Sequence, residues 1–393
     1  MIKDLLKMIS QHIIFPVVYR VNCIKPINKK LVVFADAHKM KCPAHMEILR
    51  KRLIEEDYDV RDFFFDLDKV GYKKGFLLML QFMKLYATCG HVIICDNFLP
   101  VASCKKRKKT DVIQLWHGPG AFKKFGYDAK EDIPKRYKGN VYNNYSLVTV
   151  SSKKCVDYFE RAMRINRVEY PKPLHGKDIV RPIGISYTDR LFNVDYIEEC
   201  KDRLRYEHPD SNGKKIVLWA PTFRGNAANG KLVGEEIVDR LAKDGSICND
   251  FYIIKSIHPH IKSGEKTQSD FGMKTDELIA CADILITDYS SVFFEYLIMD
   301  KPIIFFAPDY SEYSEKRGFY LLYDGLPGYI IRDDEKDEEV LKNKLSCAIR
   351  DAAYGDDSTM SRRRKKYREV YMSECDGNVT DRIITYMREF YNN

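Results

Sequence analysis

A histidine stands where a buried strand should end and a glycine-rich loop begins. Residues 111–116 form a largely apolar run, and His117-Gly118-Pro119-Gly120 follows it. Open α/β sheets bind ligands at the carboxyl ends of their strands, and imidazole titrates near neutral pH. His117 is therefore predicted as a general base, although a lone histidine is more often structural. Gly118, which allows close backbone approach, and Lys123, which can reach an anion, are predicted as accessory residues.

A second candidate site is the polar turn Thr287–Ser291. The apolar residues 284–287 predict a short strand, and the apolar spacing after the turn predicts a helix. Hydroxyl groups at a helix start, beside its unpaired N–H groups, are suited to binding phosphate. Ordinary helix capping is the alternative, since Ser and Asp are preferred caps. Capping needs one such residue, whereas Asp288, Ser290 and Ser291 occur together, which favours phosphate binding.

Two further strand ends carry polar side chains. Arg224 follows the predicted strand 216–220, and its planar guanidinium is suited to holding a phosphate. A surface ion pair is the alternative role for this arginine. Thr222, two residues earlier, and Asp309, after the predicted strand 301–306, are predicted as accessory residues of the same site.

A histidine pair, His258-Pro259-His260, ends the predicted strand 251–257. Two histidines at this spacing could indicate a metal ion, but no third ligand with recognisable spacing is near. The sequence therefore predicts no metal site and no cofactor. His258, which is closer to the strand, is predicted to donate a hydrogen bond to a phosphate oxygen.

The elements around these residues alternate between apolar strands and helices. This alternation is typical of parallel sheets in an α/β protein. A chain of 393 residues suits two domains, each with its own core. The weakly periodic stretch 171–212 is predicted to connect them. The predicted organisation is residues 1–20 as an amphipathic helix, residues 21–200 and 201–370 as the two domains, and residues 371–393 as a C-terminal helix.

The composition excludes several classes of protein. Hydrophobic residues make up 45% of the chain, so it is globular and not disordered. The 11 cysteines contain no C-x-x-C pair, which suggests reduced thiols without a disulfide framework or a zinc site. The net charge of +8 is concentrated in runs and indicates an anionic partner. Nucleic acid is not predicted, because no base-reading motif accompanies the runs.

The first twenty residues have a helical apolar stripe, formed by Ile2, Leu5, Leu6, Ile9 and Ile13. Pro16 is predicted to end or kink this helix. A helix lying on a membrane surface and a terminal helix packed on the protein itself are both compatible with the stripe. The basic runs 105–109 and 362–366 favour an anionic membrane surface, although most such runs are solvated.

The ordered motifs together resemble the CDP-glycerol glycerophosphotransferases, the polyolphosphotransferases of teichoic-acid and capsule synthesis. The motifs are Trp116-His117-Gly118 with Lys123-Lys124, Pro221-Thr222-Phe223-Arg224, His258-Pro259, Thr287–Ser291, Lys301-Pro302-Ile303 and the late Asp376-Gly377 with Arg382. The resemblance implies a GT-B fold, with two Rossmann-like α/β domains whose parallel sheets face across a cleft. The first would be the acceptor domain and the second the CDP-donor domain.

The resemblance also implies an activity and its partners. Polyol phosphate would pass from CDP-glycerol to an undecaprenyl-diphosphate-linked saccharide, without a metal ion, at the cytoplasmic face of the cell membrane. His117 would be the base on the acceptor side, while Glu295 would bond the donor ribose. The residues that would grip the donor phosphates are Arg224, His258, Ser290 and Ser291. Glycerol and ribitol donors are both compatible with the sequence. A nucleotide-sugar glycosyltransferase of the same fold and a non-catalytic binding scaffold are the alternatives.

Overall fold

The computed structural model describes residues 8–129, 132–133, 139–165, 179–224, 231–256, 272–332 and 337–392. The chain divides into two compact units. The first takes in the residues up to Gly118, then Phe125–Asp189, and the segment that begins at Ser373. The second consists of Pro119–Lys124 and Arg190–Met372.

The strands form two sheets, one in each unit. In chain order they are β1 (Asn28–Asp36), β2 (Asp59–Phe64), β3 (Cys89–Ile94), β4 (Asp111–Gln114), β5 (Leu147–Val150), β6 (Val180–Pro182), β7 (Lys215–Ala220), β8 (Phe251–Lys255), β9 (Ile284–Thr287), β10 (Ile303–Ala307) and β11 (Tyr329–Arg332). Every pairing between neighbouring strands is parallel. Both faces of such sheets are covered, which explains the continuous apolar runs of the central strands.

The helices lie between the strands, as the sequence predicts. In chain order they are α1 (Phe15–Asn22), α2 (Ala44–Glu55), α3 (Leu67–Tyr86), α4 (Leu99–Ala102), α5 (Lys153–Met163), α6 (Val194–Glu207), α7 (Glu235–Ala242), α8 (Gly245–Cys248), α9 (Thr275–Cys281), α10 (Val292–Tyr296), α11 (Tyr310–Arg317), α12 (Glu338–Tyr354), α13 (Ser358–Tyr371) and α14 (Val379–Glu389). The sequence did not predict α4, α6, α7, α8, α11, β6 or β11.

The two sheets share one strand order. The first sheet runs β2-β1-β3-β4-β5-β6, and the second runs β11-β10-β9-β7-β8. In the first sheet β1 lies between β2 and β3, and in the second sheet β7 lies between β8 and β9. Chain connections therefore leave in opposite directions between β1 and β3 and between β7 and β9, and this divergence opens a crevice at the carboxyl ends. At the first switch point Asp36 ends β1 and Asp96 follows β3. At the second, Pro221 follows β7 and Asp288 follows β9.

The unit boundaries differ from the predicted domain boundaries. The second unit begins at Arg190, and the C-terminal helix α14 belongs to the first unit. The carboxylate of Asp189 explains this attachment, because it accepts hydrogen bonds from the backbone of Val379 at 3.1 Å and of Thr380 at 2.7 Å. The first turn of a helix leaves such N–H groups without partners inside the helix. Here the side chain of Asp189, distant in sequence, caps them.

The N-terminal helix does not end at Pro16. A π-helical turn, Ser10–Ile14, leads directly into α1, and Pro16 lies in the first turn of that helix. Proline is tolerated there because a first-turn residue needs no N–H donor. Ile2, Leu5 and Leu6 of the predicted stripe lie outside the described residues.

Candidate active site

The backbone takes an unusual conformation at Trp116, directly before His117. Trp116 has φ of 60°, which a bulky residue rarely adopts. Its N–H donates to the side-chain oxygen of Gln114 at 2.9 Å, and its indole stacks on the imidazole of His117 with ring centroids 4.8 Å apart. Strain of this kind persists only where the surroundings enforce it. The result is a buried tryptophan beside a histidine whose side chain is 47% exposed.

The contacts of His117 select one tautomer of its ring. Nδ1 lies 3.2 Å from the carbonyl oxygen of Cys95, at the end of β3. A carbonyl can only accept, so Nδ1 carries the hydrogen and Nε2 keeps its lone pair. The carboxylate of Asp96 lies 3.9 Å from the same Nδ1. A proton taken up at Nε2 would give an imidazolium next to a negative charge, which is the arrangement a general base requires.

Two carboxylates at this edge were not singled out in the sequence. Asp96 follows β3 and Asp36 ends β1, so both occupy the first switch point. Asp36 is 4% exposed, and burial, together with the nearby charge of Asp96, raises its pKa. The backbone N–H of His38 donates to it at 2.6 Å. Their position directly after buried strands was the signal that could have identified them.

Asp288 joins two strand ends in the second unit. Its Oδ1 accepts hydrogen bonds from the N–H groups of Thr222 at 2.7 Å and of Tyr289 at 2.5 Å. Thr287 also links the ends of β9 and β7, because its hydroxyl donates to the carbonyl of Ala220 at 2.7 Å. The predicted turn and the loop after β7 are thus one structure.

Arg224 is held by carboxylates on both sides. Its Nε lies 2.8 Å from Oδ2 of Asp309, and its Nη2 lies 2.8 Å from Oδ2 of Asp288. The hydroxyl of Tyr289 donates to Asp309 at 2.9 Å, and the rings of Tyr289 and Tyr313 lie 4.9 and 4.6 Å from the guanidinium carbon. These contacts orient the arginine within the protein. Its predicted contact with a donor phosphate stays a prediction.

The hydroxyl groups of the turn are not used as strong helix caps. Ser291 occupies the N-cap of α10 without a side-chain capping bond, and Ser290 accepts from Val292 at 3.4 Å. The α10 helix has five residues, so its dipole is small and the hydroxyls would have to supply most of any phosphate contact. Thr222 contributes a further hydroxyl group near the turn, because its buried Oγ1 has no hydrogen-bond partner among the described residues.

The segment Pro119–Lys124 belongs to the second unit, although it follows His117 by only two residues. The carbonyl of Phe122 accepts from the N–H of Tyr320 at 2.8 Å, and the N–H of Lys124 donates to Gly318 at 3.1 Å. Lys123 forms the bridge residue opposite Phe319. Gly118, the other accessory residue of this loop, is buried in the first unit.

The predictions for His258, for Glu295 and for the metal site stay predictions. His258 lies outside the described residues. Glu295 is 8% exposed within α10, and its contact with the donor ribose stays a prediction. In the described part of the chain, no group of three His, Cys, Asp or Glu side chains is placed to hold a metal ion.

The fold and the strand-end residues define the class of protein first: a GT-B type transferase with two Rossmann-like units. The family described as CDP-glycerol:poly(glycerophosphate) glycerophosphotransferase matches residues 17–389. The chain therefore belongs to this family of teichoic-acid polyolphosphate transferases, as its motifs predicted.

Relatives in the family differ in length and in the polyol that their names specify. The chain is 31% identical over 390 residues to the teichoic acid poly(ribitol-phosphate) polymerase of Bacillus spizizenii, covering 94% of this chain and 58% of that protein. It is 27% identical over 401 residues to the teichoic acid ribitol-phosphate primase of the same organism, covering 96% of each. It is 31% identical to the teichoic acid glycerol-phosphate primase of Bacillus subtilis over 75% of this chain and 73% of that protein.

Solved structures agree on the fold. The wall teichoic acid polymerase TagF superimposes with a TM-score of 0.70 at 20% identity, covering 96% of this chain and 94% of that one. A UDP-N-acetylglucosamine 2-epimerase from Listeria monocytogenes gives a TM-score of 0.51 at 12% identity, covering 93% and 97%. Both show the two-unit α/β architecture, and at these identities the likeness extends to the fold alone.

Proposed function

We propose that the protein transfers glycerol phosphate, or a related polyol phosphate, from CDP-glycerol to a hydroxyl of a membrane lipid-linked saccharide and releases CMP. Such a step belongs to teichoic-acid or capsular polymer synthesis. Family membership supports the reaction class, and the names of the relatives support both glycerol and ribitol as the polyol. The observation that carries the proposal is the geometry of His117, whose Nδ1 is held by a carbonyl while its imidazole is half exposed.

The chemical step follows from that geometry. The acceptor hydroxyl passes its proton to Nε2 of His117, and its oxygen attacks the β-phosphorus of the donor. The new phosphorus–oxygen bond forms as the bond to the CMP oxygen breaks, and CMP leaves with the electron pair. Asp96, 3.9 Å from Nδ1, stabilises the imidazolium that results.

The proposed binding site for the CDP-glycerol donor lies in the second unit. Hydroxyl groups of Thr222, Ser290 and Ser291 are suited to the donor phosphates, and Arg224 holds the carboxylates of Asp288 and Asp309 in place. His258 and Glu295 retain their predicted contacts with phosphate and ribose. The proposed reaction uses no metal ion. Loss of all activity in EDTA, with recovery in Mg²⁺, would contradict that part of the proposal.

The N-terminal helix supports a peripheral place on the cytoplasmic membrane surface. One side of it is buried in the first unit, where Phe15 stacks on Phe76 and Tyr19 packs on Tyr86. The other side is an exposed apolar stripe with a spacing of four residues, formed by Ile9, Ile13, Val17 and Val21. One side of this helix therefore packs on the protein, and its exposed apolar side is suited to the membrane surface that we propose. No described helix is long and apolar enough to cross a bilayer.

The basic runs contribute fewer free cations than their sequences indicate. In the first run, Lys106 donates to the carbonyl of Thr110 at 2.8 Å, and Arg107 donates to that of Lys25 at 2.7 Å. Burial lowers the pKa of Lys106 to about 8. In the second run, Arg364 is 1% exposed and paired with Asp300 and Asp357. The exposed lysines 105, 108 and 109 of the first run, and the exposed Arg362 and Lys366 of the second, remain to attract anionic lipid.

The proposed function is tested by incubation with CDP-glycerol or CDP-ribitol and lipid-linked saccharide acceptors. CMP release and the product mass identify the polyol and the acceptor. UDP or GDP release from a nucleotide sugar, with no CMP from either CDP-polyol, would favour the glycosyltransferase alternative. Binding of CDP-glycerol without turnover on any acceptor would indicate a binding scaffold.

A further inference from the structure

The glutamine that ends β4 is fully buried between the two strand ends that carry His117 and Asp96. Gln114 is 0% exposed, and it pairs with Ile94, the last residue of β3, in the parallel register. His117 follows Gln114 along the chain, and Asp96 follows Ile94. Gln114 is therefore placed to hold both strand ends, although the proposed reaction assigns it no role.

The side-chain amide of Gln114 bonds to the backbone beyond both strand ends. Its Oε1 accepts from the N–H of Trp116 at 2.9 Å, and its Nε2 donates to the carbonyl oxygen of Asp96 at 3.2 Å. A backbone N–H can only donate and a carbonyl oxygen can only accept, so these two bonds together fix the orientation of the amide. An apolar side chain of the same length makes neither bond.

A third contact holds the amide from the side of β5. Nε2 of Gln114 also donates to the hydroxyl of Tyr145 at 3.3 Å, and this tyrosine is 3% exposed just before β5. The same hydroxyl lies 3.5 Å from Oδ1 of Asn97, the residue after Asp96. The amide thus has a partner for its oxygen and two acceptors for its nitrogen, and a buried polar network that is satisfied in this way is rigid.

The bond to Trp116 bears on the orientation of His117. The backbone of Trp116 has φ of 60°, which is unfavourable for a bulky side chain and persists only where contacts enforce it. The bond from its N–H to Oε1 of Gln114 is such a contact. Without that acceptor, the backbone directly before His117 can relax, and the imidazole then moves relative to the carbonyl of Cys95.

Gln114 and His117 form two links between the same strand ends. Nδ1 of His117 lies 3.2 Å from the carbonyl oxygen of Cys95, and Nε2 of Gln114 donates to the carbonyl of the next residue, Asp96. The histidine side chain is 47% exposed, so water competes for its bond, whereas the bonds of Gln114 are shielded from water. The buried link therefore sets the spacing at which the exposed link forms.

We propose that Gln114 is a positioning residue for the general base. Its amide holds the backbone before His117 and the carbonyl groups after β3 in the arrangement that keeps the imidazole hydrogen on Nδ1 and leaves Nε2 to take a proton. Gln114 acts through His117 and needs no contact with either substrate. The role rests on the proposed function of His117 as base, but the tautomer of its ring is measurable without turnover.

The test measures the tautomer of His117 and the transfer reaction in the same variants. Long-range proton–nitrogen correlation spectra of protein with isotope-labelled histidines identify the protonated ring nitrogen at alkaline pH, where imidazole is neutral, and His117→Ala assigns the signals. The wild type should carry the hydrogen on Nδ1. Gln114→Met keeps the side-chain length without the amide. It should shift the ring towards the Nε2–H tautomer and lower kcat roughly 10–100-fold, with an unchanged Kd for CDP-glycerol.

Thr110→Val is the matched control for the loss of a buried hydrogen bond. Thr110 is 0% exposed at the other end of β4, and its hydroxyl also donates to a carbonyl, that of Cys89 at 3.4 Å. This variant should leave the tautomer and kcat unchanged. Gln114→Asn keeps an amide that is one methylene too short to span both contacts, and it should behave like Gln114→Met. It provides the test if a urea titration shows that Gln114→Met does not fold.

Two results would overturn the proposal. One is a wild-type ring with its hydrogen on Nε2, and the other is a folded Gln114 variant that keeps the wild-type tautomer, whatever stability it has lost. A merely structural glutamine would give the second result. If the tautomer shifts as expected but the wild type releases no CMP from any CDP-polyol, the proposed function fails while the positioning of His117 by Gln114 stands.

Discussion

The imidazole of His117 is fixed at one nitrogen and exposed at the other. The carbonyl of Cys95 orients it, Asp96 lies beside it, and the strained backbone of Trp116 directly precedes it. Two of these contacts come from the end of β3, and the third comes from the residue before His117. The geometry is that of a residue prepared to accept a proton, and it leads to a direct test.

His117→Ala is expected to lower kcat by about 10²–10⁴-fold, the usual cost of losing a general base. The Kd for CDP-glycerol should change little, because the donor site is proposed in the second unit. CMP release measures the first quantity and calorimetry the second. His12→Ala, at an exposed histidine of the N-terminal helix, is the matched control. More than a tenth of wild-type turnover in His117→Ala would rule out the assignment as base.

Arg224 presents a different case, because its guanidinium is already paired with two carboxylates. Arg224→Ala would leave Asp288 and Asp309, which are 5% and 16% exposed, without their partner. The free energy of unfolding should fall by about 3–5 kcal/mol, as for other broken buried pairs. Arg224→Lys should recover only part of it, since lysine lacks the planar fork.

Urea denaturation measures this loss. Arg205→Ala, which breaks an exposed pair with Asp202, is the control and should cost no more than about 1 kcal/mol. If Arg224→Ala lowered the affinity for CDP-glycerol but left the free energy of unfolding unchanged, Arg224 would be a phosphate ligand, as the sequence predicts, and not a residue that positions the turn.

Among the elements, the segment Pro119–Lys124 connects His117, the proposed base, to the second unit. It follows His117 along the chain, yet it packs within the second unit on α10, the helix after the turn Thr287–Ser291. Phe122 stacks on Phe319 at 5.0 Å, and Gly120 lies against the ring of Phe294 in α10. A change in the packing of this segment should therefore affect both stability and catalysis.

Gly120→Ala tests that expectation. The added Cβ would lie 2.3 Å from the Phe294 ring, and φ of +67° is unfavourable for alanine. The loss of unfolding free energy should be about 2–4 kcal/mol, with a lower kcat. Gly213→Ala has φ of +78° but nothing within 4 Å, so it should cost only about 1–2 kcal/mol. Equal losses in the two variants would show that the contact with Phe294 has no effect.

Two features of the whole molecule suit it to binding at a membrane surface. The exposed stripe on the N-terminal helix and the exposed lysines at 105, 108 and 109 both belong to the first unit. Apolar burial in the headgroup region and attraction to anionic lipid would add to each other. Neither contribution needs a helix that crosses the membrane.

Replacing Ile13, Val17 and Val21 by Ser is expected to reduce sedimentation with anionic liposomes by at least tenfold, because it removes apolar area from the exposed stripe. Neutralising lysines 105, 108 and 109 should weaken binding mainly at low salt, since exposed charges are screened. Lys106→Gln is the control, because Lys106 is bonded to the protein and contributes little free charge. Full sedimentation of the apolar triple variant at high salt would refute docking through this helix.

Local pattern was enough for the architecture and for most of the candidate residues. Continuous apolar runs predicted the central strands, because strands buried on both faces leave no room for alternation. Strand ends made His117, Thr222 and Asp288 candidates, since parallel sheets gather their ligand-binding side chains at one edge. The family motifs then assigned the reaction class, and the family match confirmed it.

Contacts between distant parts of the chain were decided only by the tertiary structure. The strand order sets β9 beside β7, which lets Asp288 accept from Thr222 across 66 residues of sequence. Asp309, 85 residues after Arg224, pairs with the arginine that local sequence leaves available for phosphate. Asp189 attaches α14 to the first unit from 190 residues away. Local periodicity reports burial, but it does not report which partner a charge will meet, because that depends on the order of the strands.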